Sequence, residues 1–141
     1  MYRRRVSGNA PGAQSLRYVR VHDGIDGETH FEDVDVQLEF APFAPPAPPI
    51  AVSDSLPAAA VVFFGGPENW FGDFHPTPQR QFCMICEGQV ELQTTDGEAR
   101  RFSPGDLLLL DDLSGRGHIS RVVGSSPIAG VFVQLPHSRN S

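Results

Sequence analysis

Apolar and polar residues alternate in the segment from Phe31 to Phe40, most regularly from Val34 onward. Successive side chains of a β-strand point to opposite faces, so this pattern predicts a strand with one buried face. Other short apolar runs, several rich in β-branched residues, predict further strands: Ala60–Phe64, Gln81–Ile85, Gln89–Thr94, Leu107–Leu110, His118–Val123 and Ile128–Leu135. No convincing helical period and no internal repeat interrupts this succession.

Glycine and proline mark the boundaries between these runs. Thr95-Asp96-Gly97-Glu98 predicts a tight hairpin, because Asp-Gly tolerates the positive φ of such a turn. Five prolines between Ala41 and Pro49 fix φ and remove backbone donors, so this segment is expected to be an extended connector and not a central strand. Residues 1–17 are polar and without a period, which favours a flexible segment.

Many short strands separated by turns predict an all-β domain, either closed or built from two sheets. The 141 residues suit one domain with its own core. The pattern alone leaves a sandwich, a barrel and a jelly roll equally open.

The net charge of −6 and the pI near 5.2 argue against nucleic acid as a partner. No apolar run approaches the roughly 20 residues of a membrane helix, and no apolar core follows the basic residues Arg3 to Arg5, as a signal peptide would require. We therefore expect a soluble cytoplasmic protein that binds no membrane.

Two cysteines, Cys83 and Cys86, have the C-x-x-C spacing. A structural zinc site would need a second pair or a nearby histidine, and on a strand these two side chains would point to opposite faces. Free thiols in a reducing compartment are therefore favoured over a redox or zinc role.

The sequence also contains two motifs in order. The first runs from His75 to Gly88, and the second comprises Pro104-Gly105-Asp106 and, after the leucine run, Gly115-Arg116-Gly117-His118. Together they resemble the paired motifs of the cupin family over roughly residues 60–135. In that family the first motif reads G-x5-H-x-H-x3,4-E-x6-G, and three histidines and one glutamate bind a metal.

Aligning the closing glycine on Gly88 places the family's four ligand positions on His75, Thr77, Gln81 and His118. Only the two histidines match the family's ligands. With threonine and an amide at the other two positions, no metal cofactor is expected; a weak divalent metal on His75, Gln81 and His118 remains an alternative.

The resemblance implies a cupin-type double-stranded β-helix, a jelly-roll barrel with an N-terminal extended arm. Its expected parts are a flexible segment (1–17), a strand and Pro-rich arm (18–57), the barrel (58–136) and a C-terminal tail (137–141). Single-domain members are often homodimers, and the arm would suit exchange between subunits.

The resemblance also implies that the four motif positions share one cavity for a small organic molecule. Counting by two from Gln81 and from His118 adds Cys83, Ile85, Ser120 and Val122 to its wall, and Trp70 is expected at its mouth. Gln81, Thr77, Cys83, Trp70 and Ser120 are thus candidate substrate-binding residues.

Two histidines in a partly dry cavity are candidates for proton transfer, with Gln81 orienting a carbonyl or a water. We therefore expect His118 and His75 to be catalytic in a metal-independent isomerase, cyclase, dehydratase or lyase acting on a small carbonyl or aromatic compound. The alternatives are a non-catalytic ligand-binding or sensor cupin and a weakly metal-bound oxygenase. The adjacent Asp111 and Asp112 are expected to face solvent and not to form a site.

Overall fold

The computed structural model describes residues 14–137, and these form strands and turns without any helix. The all-β class predicted from the sequence is confirmed. The strands are β1 (Gln14–Asp23), β2 (Thr29–Ala41), β3 (Ile50–Val52), β4 (Ala60–Gly66), β5 (Phe71–His75), β6 (Gln81–Glu87), β7 (Gln89–Thr94), β8 (Ala99–Phe102), β9 (Leu107–Asp111), β10 (His118–Val123) and β11 (Ile128–Gln134). Within this range no helix is long and apolar enough to span a membrane.

The N-terminal region differs from the expectation at one point. Residues 14–17, predicted to belong to a flexible segment, form the start of β1. Residues 1–13 of that segment and residues 138–141 of the expected tail lie outside the described residues.

The chain divides into two compact units. The described part of the smaller unit comprises residues 14–18 and 33–56, with the strand order β3-β2-β1. Glu39 of β2 lies opposite Val52 of β3 in an antiparallel pair, and the Arg17 Nε donates to Asp35 at 2.7 Å. The predicted Pro-rich connector lies between β2 and β3.

The larger unit comprises residues 19–32 and, in its described part, 57–137. One of its sheets has the order β1-β9-β6-β11-β4, and the other has the order β5-β10-β7-β8. Strands β1 and β9 are parallel, with Val19 opposite Leu108, whereas β4, β6, β9 and β11 pair antiparallel.

The core lies between these two sheets of the larger unit. Cys83, Ile85 and Leu108 extend from the first sheet, and Val90 and Leu92 extend from the second. The buried positions alternate along β6 and β7, as strand geometry requires. Burying each aliphatic side chain of this kind stabilises the fold by roughly 1.5–3 kcal/mol.

The glycine that closes the first motif has a structural reason. Gly88 has φ +79°, and a Cβ there would overlap the carbonyl oxygen of Pro127. Any side chain would therefore push apart the β6–β7 turn and the segment before β11.

Candidate functional site

A cavity of about 360 Å³ lies within the larger unit, between its two sheets. Strands β4, β5, β6, β7, β9, β10 and β11 all contribute to its wall. Most of the lining side chains are apolar, and they include Phe64 and Phe132, whose rings stack with centroids 4.2 Å apart. A cavity of this size and character suits a small organic molecule.

All four motif positions line this cavity: His75, Thr77, Gln81 and His118. His118 opens the middle strand β10, where it lies opposite His75 of β5 on one side and Thr94 of β7 on the other. The two histidines, 43 residues apart in sequence, are therefore brought together by backbone pairing.

The inward alternation counted from the sequence is also observed. Cys83 and Ile85 on β6, and Ser120 and Val122 on β10, all line the cavity. Burial raises the pKa of the Cys83 thiol to about 12, so this side chain is a neutral thiol and not a nucleophilic thiolate.

Asp112 is the residue that the sequence interpretation placed wrongly. It was expected to face solvent, but it is fully buried and accepts a hydrogen bond from His118 Nδ1 at 2.6 Å. Its second carboxylate oxygen accepts from the Thr77 hydroxyl at 2.7 Å. Thr77, His118 and Asp112 thus form one buried hydrogen-bonded group.

The end of β9 explains why the two adjacent aspartates diverge. Asp111, the last residue of the strand, accepts from Arg20 Nη2 at 2.9 Å and lies 3.3 Å from Arg80 Nε. The next residue, Asp112, points to the opposite side of the chain, as expected for an extended backbone. The Thr77 amide donates to the Asp112 carbonyl at 2.9 Å and holds the Asp112 backbone in this position.

The hydrogen bonds determine which nitrogen of each histidine carries the proton. Nδ1 of His75 lies 2.7 Å from the carbonyl oxygen of Asp73, which can only accept. Nδ1 of His118 faces a carboxylate whose other oxygen already accepts from Thr77. In their neutral forms both rings therefore carry the proton on Nδ1 and an unprotonated Nε2.

Nε2 of His75 and of His118 has no hydrogen-bond partner among residues 14–137. The ring centroids are 5.1 Å apart, and both side chains line the cavity. They differ in exposure, since His118 is 4% exposed and His75 is solvent-exposed. One ring is thus sheltered, and its neighbour is in contact with water.

Gly117 allows this close approach of β5 and β10. It has φ +76°, and a Cβ there would overlap the carbonyl group of His75. Its own carbonyl oxygen accepts from the Thr29 hydroxyl at 2.9 Å. The glycine before the motif histidine is therefore required by the packing that brings His75 and His118 together.

The remaining predicted binding residues, Gln81, Trp70 and Ser120, also line the cavity. The Gln81 Oε1 accepts from Gln134 Nε2 at 3.1 Å, which leaves the Gln81 NH₂ group as the donor on that side chain. Trp70 is partly exposed and packs over Gly72, where an added Cβ would lie 2.7 Å from the indole ring.

The cavity lining does not include Phe74, Arg116 or His30. The Arg116 guanidinium lies over the Phe74 ring, 4.4 Å from its centroid. The His30 ring lies between two carboxylates, 2.9 Å from Asp96 and 3.0 Å from Asp26.

The donor set does not fit the metal site of the cupin motifs. The four motif positions supply two imidazoles, an amide oxygen already bonded to Gln134 and a hydroxyl already bonded to Asp112. Within residues 14–137 no three His, Cys, Asp or Glu side chains form a group that could hold a metal ion. Tight transition-metal sites use more imidazole, thiolate or carboxylate ligands than this.

No protein-family model matches the sequence, and no curated protein matches it either. Similar solved structures include a putative ethanolamine utilization protein EutQ from Salmonella typhimurium LT2, with 15% identity, a TM-score of 0.43, and coverage of 89% of this chain and 99% of that one. The cupin domain of Schizosaccharomyces pombe Cnp3 has 8% identity and a TM-score of 0.41, covering 87% and 84%.

A conserved protein of unknown function from Streptococcus pyogenes has 15% identity and a TM-score of 0.42, covering 62% of this chain and 72% of that one. These are likenesses of fold and carry nothing about chemistry. The cupin-type fold that the motifs imply is observed in this chain itself, since two sheets enclose one cavity and all four motif positions line it.

Proposed function

We propose that this protein binds a small organic molecule in the cavity and catalyses a metal-independent acid/base reaction on it, of the isomerase, cyclase, dehydratase or lyase type. One observation carries the proposal: the buried Asp112 carboxylate bonds Nδ1 of His118 at 2.6 Å, while the rest of that imidazole faces the cavity. This arrangement supplies an oriented base in a sheltered site.

His118 is the proposed general base. Because the Nδ1–H of His118 donates a hydrogen bond to Asp112, the lone pair of Nε2 is available to accept a proton from the substrate. Proton transfer to Nε2 creates an imidazolium ion, which the adjacent carboxylate stabilises. Asp112 thus acts through His118 and is a positioning residue.

Gln81 is the proposed donor to the substrate carbonyl. The bond from Gln134 occupies its Oε1, so its NH₂ group is the part that can donate to a substrate oxygen. When His118 removes a proton from the carbon beside the carbonyl, the electron pair of the broken C–H bond moves toward that oxygen. A donor placed at the oxygen stabilises the developing charge.

His75 completes the proposed cycle. It lies beside His118 but is exposed, so it can return a proton to another position of the substrate or exchange it with water. Imidazole suits both steps because it gains and loses a proton near neutral pH. An isomerisation by this route has no net consumption of protons and needs no redox partner.

Hydrogen exchange in D₂O tests this function with simple carbonyl compounds in place of the natural substrate. A panel of uncharged cyclic and aromatic ketones is incubated with the protein, and loss of the α-proton signal is followed by ¹H NMR. We expect protein-dependent exchange with wild type and a loss of a hundredfold or more, on the order usual for a general base, in His118→Gln.

The same experiment separates catalysis from plain ligand binding. If His118 only orients a ligand, His118→Gln lowers affinity and no member of the panel shows protein-dependent exchange in wild type. Unfolding of the variant is checked by circular dichroism, because a folded but inactive variant is the expected result.

A further inference from the structure

The cavity contains no fixed positive charge. Among the described residues that line it there is no Lys, Arg, Asp or Glu, and its ionisable groups are His75, His118 and the neutral thiol of Cys83. When both histidines are neutral, the wall therefore carries no net charge. Sites that recognise carboxylates or phosphates normally present an arginine or lysine to the anion.

The fixed charge immediately behind the wall is negative. Both oxygens of the buried Asp112 accept hydrogen bonds, one from His118 and one from Thr77. A carboxylate in this position attracts a cation and repels an anion brought next to the His118 ring, and burial weakens the screening of that repulsion by water.

The arginines nearest in sequence to the cavity residues are engaged elsewhere. Their partners are Asp111 for Arg80 at 3.3 Å, the Phe74 ring for Arg116 at 4.4 Å, and Glu91 for Arg121 at 3.1 Å. An anion entering the cavity would lose its hydration shell against Phe64, Phe132 and other apolar groups without gaining an ion pair.

From these observations we infer that the site selects an uncharged substrate, an aromatic or alicyclic carbonyl compound without a carboxylate or phosphate group. The inference rests on the proposed function for the carbonyl, but the exclusion of anions follows from the charge of the cavity alone.

Calorimetric titration with matched neutral and anionic probes tests this selection. The probes are benzamide against benzoate and 2-naphthamide against 2-naphthoate, because each pair has nearly the same shape and differs in charge. At about pH 8 we expect at least one amide to bind about tenfold or more tightly than its carboxylate. Equal or tighter binding of the carboxylates would overturn the inference, as would binding of neither amide.

Two charge variants locate the effect. Ser120→Lys places a cation in the cavity wall, whereas Ser125→Lys makes the same change in an exposed turn. We expect the first to shift the preference toward the carboxylate and the second to leave it as in wild type.

Because these titrations involve no turnover, a protein that binds amides selectively but shows no α-proton exchange would contradict the proposed catalysis and leave the charge selection standing.

Discussion

The hydrogen bond between His118 and Asp112 sets which nitrogen of the His118 ring is basic. The carboxylate holds the Nδ1 proton and leaves Nε2 as the basic nitrogen. The resemblance to the cupin motifs placed His118, His75, Gln81 and Thr77 in one cavity, and strand alternation counted from His118 added Ser120. All five line the cavity. Asp112 was missed because its position just after β9 fixes no direction from local pattern alone.

The alternation of β9 could not predict where Asp112 points, but Thr77 offered a signal in the sequence. The run Leu107 to Leu110 is buried at three successive positions, so alternation does not decide the orientation of the residues that follow it. Thr77 stands where the cupin motif has a histidine. A buried threonine hydroxyl needs a hydrogen-bond partner, and Asp112 is that partner.

Thiol labelling tests whether Cys83 is buried in the cavity wall while Cys86 is exposed. Cys83 is buried with its pKa raised to about 12, whereas Cys86 is exposed. Alkylation requires the thiolate, so iodoacetamide at about pH 8 should modify Cys86 and leave Cys83 intact in the folded protein. Peptide mass spectrometry measures both sites, and a sample unfolded in urea, in which both react, is the control. Equal labelling of the two cysteines in the folded protein would contradict this burial.

At the scale of elements, β10 organises the site. It lies between β5 and β7, and its first residue contributes His118. The sequence predicted β10 with the bounds that the structure shows, because its residues form an uninterrupted β-prone run. It did not predict β5 or β8. These short strands carry little apolar pattern, because β5 contains Gly72 and Asp73 and β8 contains two arginines; they pair through the backbone with β10 and β7.

His30 at the start of β2 forms a pH-dependent contact, because its ring lies 2.9 Å from Asp96 in the β7–β8 turn and 3.0 Å from Asp26 in the β1–β2 turn. The hydrogen bond from His30 to Asp26 raises the pKa of His30 above 6.5, and the same bond lowers the pKa of Asp26. A raised pKa in the folded state means that the stabilisation is fully present below 6.5 and is lost as the pH rises through the folded value.

His30→Gln removes this contact. We expect the variant to lower Tm more at about pH 5.5 than at about pH 9, because the stabilisation requires the charged imidazole. Thermal unfolding followed by circular dichroism at the two pH values measures the difference. A loss of Tm that is the same at both values would show that His30 contributes by packing and not by charge.

At the scale of the whole molecule, we propose that the chain forms a homodimer through β4. This strand lies at the edge of its sheet and exposes Val61 by 58%, Val62 by 40% and Phe63 by 81%. An exposed apolar edge offers unpaired backbone groups, and a second copy of the same strand can pair with it around a twofold axis.

Light scattering coupled to size-exclusion chromatography tests this assembly. We expect wild type to have the mass of two chains, and Phe63→Asp to have the mass of one because it places a charge in the proposed interface. Phe43→Asp is the control, since Phe43 is also strongly exposed, by 69%, but lies in the Pro-rich connector. A monomeric wild type, or dissociation by the control alone, would refute pairing through β4.

Comparing substitutions at two adjacent aspartates in the α-proton exchange assay tests whether Asp112 orients His118 as a base. Asp112→Asn removes the carboxylate that orients His118, whereas Asp111→Asn makes the same chemical change one residue away, where the partners are Arg20 and Arg80. We predict a loss of exchange rate on the order of a hundredfold or more for Asp112→Asn, and a rate within about twofold of wild type for Asp111→Asn. Equal rates for the two folded variants would contradict the role of His118 as a base oriented by Asp112.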